Sequence, residues 1–329
     1  MPLILLNIDM YLKKIVSGFA FIAVTLISGG QDTWYGSLSG MYVMYNPSYS
    51  GCAGSPSIRL SCISFFPGSG YSLNSVFASC DGFIEPLHGG ISAWASNDMP
   101  GKVLNDLRTG FGYSYHLKAA DNLYFNAGLS ASLIYLGINR GEVTFPGDYD
   151  PFRGFVSSSE TIADAGMTLF DIGTGISFSA GPWYGGFSAM HLTQPYLSKD
   201  QQNYNRLKRL YSVNAGCSFP AGSGGIVISP SITGLLQGDN ISLYLGTVAA
   251  VKNIYFGIAG WYIRSGFSAL EPSFGWNAEP VKFTFTYSYA ISAGNGALPA
   301  SAVVKASINI CSNNVHKRKV IHIIKLPEL

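Results

Sequence analysis

Hydrophobic and polar residues alternate one by one along most of this chain. In the clearest stretch, from Val281 to Ile291, apolar residues alternate with Lys, Thr, Ser and Ala. A period of two is the signature of a β-strand, whose successive side chains point to opposite faces. The stretches 107–117, 209–219 and 300–311 repeat it, with one face apolar or aromatic and the other small and polar. The pattern therefore predicts an all-β protein.

Fourteen stretches have the length and alternation of strands. Each comes close to the roughly 9–11 residues with which a tilted strand crosses a bilayer. We predict these strands at 57–65, 71–80, 88–96, 107–117, 122–136, 171–180, 182–192, 209–219, 224–236, 240–250, 253–263, 266–277, 281–291 and 300–311.

The connections between these strands alternate in length. The odd-numbered ones include the two longest, 137–170 and 193–208, whereas the even-numbered ones are short turns such as 118–121 and 251–252. Outer-membrane barrels have short periplasmic turns and longer external loops. We therefore expect both long connections to face outside and both termini to be periplasmic.

Alternation alone does not distinguish a barrel in lipid from a soluble sandwich, but composition does. Only 12% of the 329 residues are charged, about half of the ~25% that is usual in soluble domains. Aromatic residues make up 14%, and the mean hydropathy of +0.23 is too low for a chain of membrane helices. The sequence thus predicts a transmembrane antiparallel β-barrel of about fourteen strands. A net charge of +2 argues against a nucleic-acid partner, which needs a basic face.

The N-terminus has the form of an export signal. Lys13 and Lys14 precede an apolar run from Ile15 to Ile27, and the small residues that follow permit cleavage before Gln31. We expect the chain to start at Met10 rather than at Met1. An uncleaved membrane anchor is the alternative to a cleaved signal peptide. We divide the chain into a signal peptide (1–30), an N-terminal segment or lumen plug (31–56), the β-barrel (57–311) and a C-terminal tail (312–329). Export and barrel together place the protein in the outer membrane.

The five cysteines lack C-x-x-C spacing, so they predict no zinc or redox motif. In an oxidising envelope, a disulfide between Cys62 and Cys80 on neighbouring strands is one interpretation. The other is that all five are small apolar strand residues.

No recognisable catalytic, cofactor or metal motif is present. The acidic residues around Asp148 lack EF-hand spacing, so a turn with local hydrogen bonds, ordered by Arg153, is predicted instead. His116 is expected to face the lumen and His191 to make a structural hydrogen bond. Ser188 lacks the second glycine of a G-x-S-x-G elbow. We therefore predict a protein that is not an enzyme and binds no cofactor.

Four short segments follow one another in a distinctive order. They are Asn46-Pro47-Ser48-Tyr49-Ser50-Gly51; Glu85-Pro86-Leu87-His88-Gly89-Gly90-Ile91, followed by Asn97-Asp98; Thr144-Phe145-Pro146-Gly147-Asp148-Tyr149-Asp150-Pro151-Phe152-Arg153-Gly154-Phe155; and His191-Leu192-Thr193-Gln194-Pro195. In this order they resemble the PorP/SprF family of outer-membrane proteins, which is associated with type IX secretion and gliding motility in Bacteroidota. In that family the Asn-Asp pair forms a turn.

The resemblance departs from the family pattern at three points. A family Trp before the first hairpin is missing from Ser64-Phe65-Phe66-Pro67-Gly68, Pro146 is inserted before Gly147, and a basic tail follows the last strand.

The resemblance implies a function and marks candidate residues. The implied function is a non-enzymatic component of type IX secretion, which helps cargo proteins reach or stay at the cell surface. The implied partners are periplasmic ring subunits with their lipoprotein, secreted cargo and membrane lipid. The motif residues, structural or in contact with a partner, are Asn46, Pro47, Gly51, His88, Gly89, Gly90, Asn97, Asp98, Gly147, Asp148, Asp150, Arg153, Gly154, His191, Thr193 and Pro195.

Two other functions remain open at this point. The first is a channel or transporter for a small polar or hydrophobic solute, because a fourteen-stranded barrel with an N-terminal plug is also the form of long-chain fatty-acid channels. The second is a barrel hydrolase, which needs a Ser, a His and an acid within hydrogen-bond reach.

Overall fold

A computed structural model describes residues 32, 40–65, 67, 73–139, 149–150, 154–155, 166–197, 205–222, 225–264, 267–293 and 302–311. Within these ranges the chain forms a closed antiparallel barrel of fourteen strands. The predicted signal peptide and tail lie outside the described residues. Among the described residues, no helix is both long and apolar enough to cross a membrane.

The strands follow one another around the barrel in chain order. They are β1 Ser57–Phe65, β2 Leu73–Ile84, β3 Gly89–Pro100, β4 Leu104–Ala120, β5 Leu123–Ile138, β6 Met167–Ala180, β7 Trp183–Met190, β8 Leu210–Cys217 with its continuation Phe219–Ala221, β9 Ile226–Gln237, β10 Asn240–Val251, β11 Ile254–Ile263, β12 Phe267–Ala278, β13 Val281–Ala293 and β14 Ala302–Cys311. All fourteen predicted strands are present, with ends shifted by a few residues.

Pairing of the first strand with the last closes the barrel. β1 and β14 pair antiparallel from Ser57, opposite Cys311, to Phe65, opposite Val303. Closure matters because lipid offers no partner to an unpaired backbone N–H or C=O group.

The two faces of the strands are those of a barrel in lipid. On the outer face of β4 and β5, Phe111 and Leu129 are 70% and 62% exposed, whereas Ser114 and Ser130 on the inner face are buried. An exposed apolar face on one side and a buried polar face on the other suit a bilayer outside and a lumen inside. The predicted inversion of the water-soluble pattern is thus confirmed.

The lumen is less uniformly polar than the sequence indicated. Ile63, Phe65, Phe77 and Trp94 point inward from β1, β2 and β3 and are buried. They pack in one cluster with residues from α1, the short helix Tyr42–Tyr45 that precedes the barrel. Large apolar side chains therefore face inward where the N-terminal segment covers them.

The two longest connections leave the barrel at the same end. They are 139–166, between β5 and β6, and 191–209, between β7 and β8. We call this the long-loop end, and the opposite end, with turns such as 121–122 and 252–253, the short-turn end. Asn97 and Asp98 do not form the turn that the family pattern implies. They lie inside β3, where Asp98 pairs with Asp106 of β4, because β3 continues to Pro100.

The possible disulfide between Cys62 and Cys80 does not form. Both thiols are free and exposed on the outer face. Cys62 lies opposite Val76, and Cys80 lies opposite Ile58. This register separates the two cysteines by four residues along the strands, roughly 13 Å, which is too far for a disulfide.

The two faces of β12 lead to a prediction in which the lumen face serves as the control for the lipid face. Phe274 is 46% exposed on the outer face, and its neighbour Ser273 faces the lumen. Phe274→Arg should lower the free energy of unfolding by about 2–4 kcal/mol, because it places a charge in hydrocarbon. Ser273→Arg should cost much less. Urea unfolding in lipid vesicles measures both, and equal losses would contradict the assigned faces.

Candidate functional site

Residues 40–52 together with Asp32, which we call the inner segment, contact the lumen wall through buried side chains and hydrogen bonds. Met41 and Tyr45 are almost completely buried, in the cluster with Phe77, Trp94 and other inward apolar residues. The segment continues from α1 through a 3-10 helix, Pro47–Tyr49. It therefore runs along the lumen before the chain enters β1.

Asn46 fixes the turn between the two short helices. Its Oδ1 accepts hydrogen bonds from the Ser48 backbone N–H at 3.0 Å and from the Ser48 hydroxyl at 2.7 Å. Its Nδ2 donates to the carbonyl oxygens of Ile176 and Phe187, each at 3.4 Å. Asn46 thus joins the start of the 3-10 helix to β6 and β7.

The rest of the Asn-Pro motif is bonded to the lumen wall. The Gly51 backbone N–H donates to Asp81 Oδ2 at 2.8 Å, and the same aspartate forms an ion pair with Arg59. The Ser50 and Ser92 hydroxyls are 2.8 Å apart. Further bonds join Ser114 and His116 of β4 to the carbonyls of Ser48 and Ser50, Ser188 of β7 to the carbonyl of Tyr45, and Asn214 of β8 to the hydroxyl of Tyr49.

Glycines on the inner face let the segment approach the wall. A Cβ atom at Gly90 would lie 2.0 Å from the Ser50 carbonyl oxygen, and one at Gly128 would lie 2.4 Å from the Pro47 carbonyl carbon. Gly175 and Gly186 face Asn46 and Tyr49 equally closely. Such contacts are possible only without a side chain. The glycines of β3 and β5–β7 therefore form a surface shaped to this segment.

A second set of contacts holds Asp32 near the long-loop end. Its backbone N–H donates to Gln237 Oε1 at 2.8 Å, and its carboxylate pairs with Arg108. Arg108 also binds Asp106, through Nε at 2.8 Å and Nη2 at 2.7 Å. The other Asp32 oxygen lies 2.6 Å from His191 Nε2. Burial alone would raise the pKa of Asp32, but the charges of Arg108 and His191 hold it well below the usual range.

His191 links the inner segment to β6. Its Nδ1 lies 2.8 Å from Asp171 Oδ2, and its backbone N–H donates to the same oxygen at 3.1 Å. Thr193 donates to the other Asp171 oxygen at 2.7 Å. The backbone of His191 has a φ of 58°, which turns the chain out of β7. The expected structural hydrogen bond of His191 is thus present, as one part of a larger network.

Two carboxylates around one imidazole favour its protonated form. Burial would lower the pKa of His191, but the Asp32 charge and the hydrogen bonds that the ring donates to Asp171 and Asp32 raise it to about 9. Because each ring nitrogen binds a carboxylate oxygen, neither is available to activate a hydroxyl as a catalytic base.

The opposite wall of the lumen carries a different polar set. Glu271 of β12 and Lys305 of β14 are both buried, and the Ser288 hydroxyl donates to Glu271 Oε2 at 2.8 Å. The hydrogen bonds of residues 40–52 described above go to β2–β8 and none to this wall. Among the described residues, no group of His, Cys, Asp or Glu side chains could hold a metal ion.

The remaining motif residues occupy several places. His88 is exposed and lies beside Gly89. It ends the 3-10 helix Glu85–Leu87 with a left-handed backbone, at a φ of 48°. Pro195 lies in the long connection, where its carbonyl accepts from the Leu207 N–H at 3.0 Å. The backbones of Asp150 and Gly154 pair in a two-residue ladder. Three further motif residues lie outside the described ones: Gly147, Asp148 and Arg153. The predicted ordering of that turn by Arg153 is therefore untested.

The contacts around Asp32 and His191 form one group, which we call the lumen network. Five of its residues belong to no sequence motif and are spread along the chain: Asp32, Asp106, Arg108, Asp171 and Gln237. The sequence does offer a signal, because Arg108 and Asp171 are charged residues on the small, polar faces of their strands. A charge at such a position needs a partner. His116, by contrast, faces the lumen as predicted.

Because the inner segment packs directly against the wall glycines, adding one methyl group to such a glycine should displace the segment. In a variant that retains Cys52 as its sole cysteine, this buried thiol should react slowly with maleimide. Gly128→Ala should raise the labelling rate about tenfold or more, since a tenfold change needs only about 1.4 kcal/mol. Gly260→Ala is the matched control, because nothing lies within 4 Å of its added Cβ. Unchanged labelling in Gly128→Ala would contradict the contact.

The His191 network predicts a loss of stability at high pH. Because the folded pKa of about 9 exceeds the ordinary 6.5, the stabilisation is complete below pH 6.5 and disappears as the pH rises through 9. The free energy of unfolding should fall by at most about 3 kcal/mol across this range. His191→Asn, which tolerates the positive φ, should remove this component in urea titrations at pH 6–10. An unaltered pH profile in the variant would refute it.

Comparison with solved structures shows the same architecture at low sequence identity. The Ralstonia pickettii toluene transporter TbuX matches with a TM-score of 0.50 and 11% identity, over 86% of this chain and 96% of that one. The monoaromatic hydrocarbon channel CymD matches with a TM-score of 0.51 and 11% identity, over 85% and 94%. At such identity the likeness shows the fold alone.

Family comparison gives the more specific result. No curated protein matches the sequence. Residues 27–302, however, match the model of the type IX secretion system membrane protein PorP/SprF. This range includes the inner segment, all four motifs and nearly the whole barrel. The chain therefore belongs to the PorP/SprF family of type IX secretion system membrane proteins.

Proposed function

We propose that this protein is a non-enzymatic scaffold of the type IX secretion system in the outer membrane, exported by its signal peptide. In this role it helps cargo proteins reach or stay at the cell surface and contacts ring subunits and their lipoprotein in the periplasm. Family membership supports a role in the type IX secretion system. The observation that carries the scaffold role is the inner segment, which is bonded to the wall from β2 to β8.

The inner segment favours a rigid support over a wide pore. Its carbonyls, hydroxyls and one backbone N–H are matched by wall groups such as Asp81, Ser114 and Asn214. Removing such a segment would leave these buried polar groups without partners, which is costly. The contacts therefore support a segment that stays in place while the barrel works.

The lumen network also supports the base of the long-loop end. His191 and Thr193 begin the connection 191–209 and are bonded to Asp171 on β6, while Asp32 joins them to Arg108 on β4. The connection 191–209 thus starts from a braced rim, and the connection 139–166 ends at the same rim, where β6 begins. We propose that cargo binds the long connections at this rim and that the short-turn end faces the ring subunits.

The alternative function is a channel for a small solute, and one observation favours it. Some lumen-side residues of β10 and β11, such as Ser242, Tyr244 and Tyr255, are partly exposed, whereas wall residues bonded to the inner segment, such as Ser114 and Ser188, are buried. A passage beside the inner segment would expose hydroxyls and charged groups such as Lys282. It would suit a polar solute better than a hydrophobic one.

Secretion in cells distinguishes these two functions. The strain lacking this protein is complemented with the wild-type chain or with a variant whose residues 142–163 are replaced by a short Gly-Ser linker. We expect both chains to reach the outer membrane and to migrate differently in gels before and after boiling. Only the wild-type chain should restore surface cargo and co-purify with cargo, whereas both chains should co-purify with ring subunits.

Two controls separate loss of cargo binding from loss of ring contact and from channel activity. A linker in place of Lys252 and Asn253, at the short-turn end, should leave cargo on the surface but reduce recovery of ring subunits. Purified barrels are also tested in planar bilayers. Full cargo display in the null strain, together with steady conductance of the purified barrel, would favour the channel and contradict the scaffold.

A further inference from the structure

The two ends of the barrel differ in exposed charge. At the long-loop end the exposed cations of the described residues are Lys102, Arg206, Lys208, Arg209 and Arg264, and the exposed anion is Asp239. At the short-turn end the exposed charges are mixed: Glu85, Lys118, Asp121, Lys252 and Glu279. Among the described residues, the excess of exposed positive charge thus lies at the long-loop end.

Two of the rim arginines lie on the side that faces lipid. Arg264 follows Tyr262 by two residues, and its backbone N–H donates to the Ile241 carbonyl at 2.9 Å, which continues the ladder of β11 with β10. Residues two apart in a strand share a face, and Tyr262 is 48% exposed on the outer face. Arg264 therefore lies one pleat beyond an outward-facing tyrosine.

Arg209 has a comparable position directly before β8, which begins at Leu210. It precedes Tyr211 by two residues, and Leu210 between them points into the lumen and is buried. The Tyr211 ring stacks on Phe187, with centroids 6.3 Å apart, and Phe187 is 44% exposed on the outer face. Tyrosines with this placement mark the membrane interface, so both arginines extend to the level of the lipid headgroups.

Lys208 lies between the two arginines around the rim. Its aliphatic chain packs against Gly238 in the turn between β9 and β10, and its Nζ lies 3.8 Å from Asp239 Oδ2. The arc from β8 to β11 covers three strand spacings, about 15 Å. Lys208, Arg209 and Arg264 therefore form one cationic arc, in which Asp239 is the exposed acidic residue among those that the structure describes.

The segment that carries Arg209 is held in place. Leu207 is buried, and its N–H donates to the Pro195 carbonyl at 3.0 Å. Arg206 lies over the Tyr196 ring at 4.1 Å and donates to its hydroxyl. These contacts fix the direction in which the basic residues leave the barrel.

We propose that Lys208, Arg209 and Arg264 bind phosphate groups of anionic lipids in the leaflet at the long-loop end. Guanidinium groups match phosphate geometry with paired hydrogen bonds, and basic residues at headgroup level attract anionic lipids. A lipid fits better than an acidic protein, because both arginines extend from lipid-facing tyrosines. The connection 139–166, with five acidic and two basic residues, joins β5 to β6, outside this arc.

The test uses purified full-length protein in neutral detergent micelles. Diphosphoryl lipid A and its dephosphorylated form are titrated separately, and bound lipid is counted by native mass spectrometry. The wild-type chain should prefer the phosphorylated lipid about tenfold or more. The variant K208Q/R209Q/R264Q should lose that preference. The control K118Q/K252Q, altered at the short-turn end, should retain it.

Three outcomes would overturn the proposal. They are equal binding of the two lipids by the wild-type chain, full preference in the triple variant, and loss of preference in the control. Displacement of lipid A by millimolar inorganic phosphate would show a site for free phosphate rather than for lipid, and would also count against it. Because the changed side chains are exposed, every variant should keep the wild-type gel shift on heating, which confirms that it is folded.

Discussion

The whole structure depends on the need to pair every backbone N–H and C=O group inside a lipid bilayer. An open sheet would leave two unpaired edges, so β1 must meet β14, and their pairing extends over the whole of β1. Closure then creates an enclosed lumen. What fills this lumen, and how firmly, decides whether the barrel is a pore or a support.

The inner segment and the glycines of the wall form one unit. Gly90 belongs to the Gly-Gly-Ile motif, and the carbonyl and backbone it faces belong to Ser50 and Gly51 of the Asn-Pro motif. Two motifs some forty residues apart are thus two sides of one contact. The His-Leu-Thr motif contributes separately, because His191 joins β6 to Asp32 at the other end of the segment. Family motifs whose roles were unknown from sequence therefore contribute to how the lumen is filled.

Most of the barrel was predictable because one rule repeats along the chain. Alternation of apolar and small polar residues located all fourteen strands to within a few residues. The rule failed where local sequence did not decide the structure. Asn97 and Asp98 have the composition of a turn but lie in a strand, since pairing with β2 and β4 continues through them. The Asp32–His191 contact joins residues 159 positions apart, and no local pattern predicts such a pair.

The central claim is that the inner segment stays in the lumen while the protein works. A disulfide lock tests it most directly, in a background without other cysteines. The Ser50 and Ser92 hydroxyl oxygens lie 2.8 Å apart, so the variant S50C/S92C should oxidise in the outer membrane. We expect the locked barrel to restore surface display of cargo as well as the reduced one does. Failure of the lock to form, or loss of display that a reductant reverses, would contradict the claim.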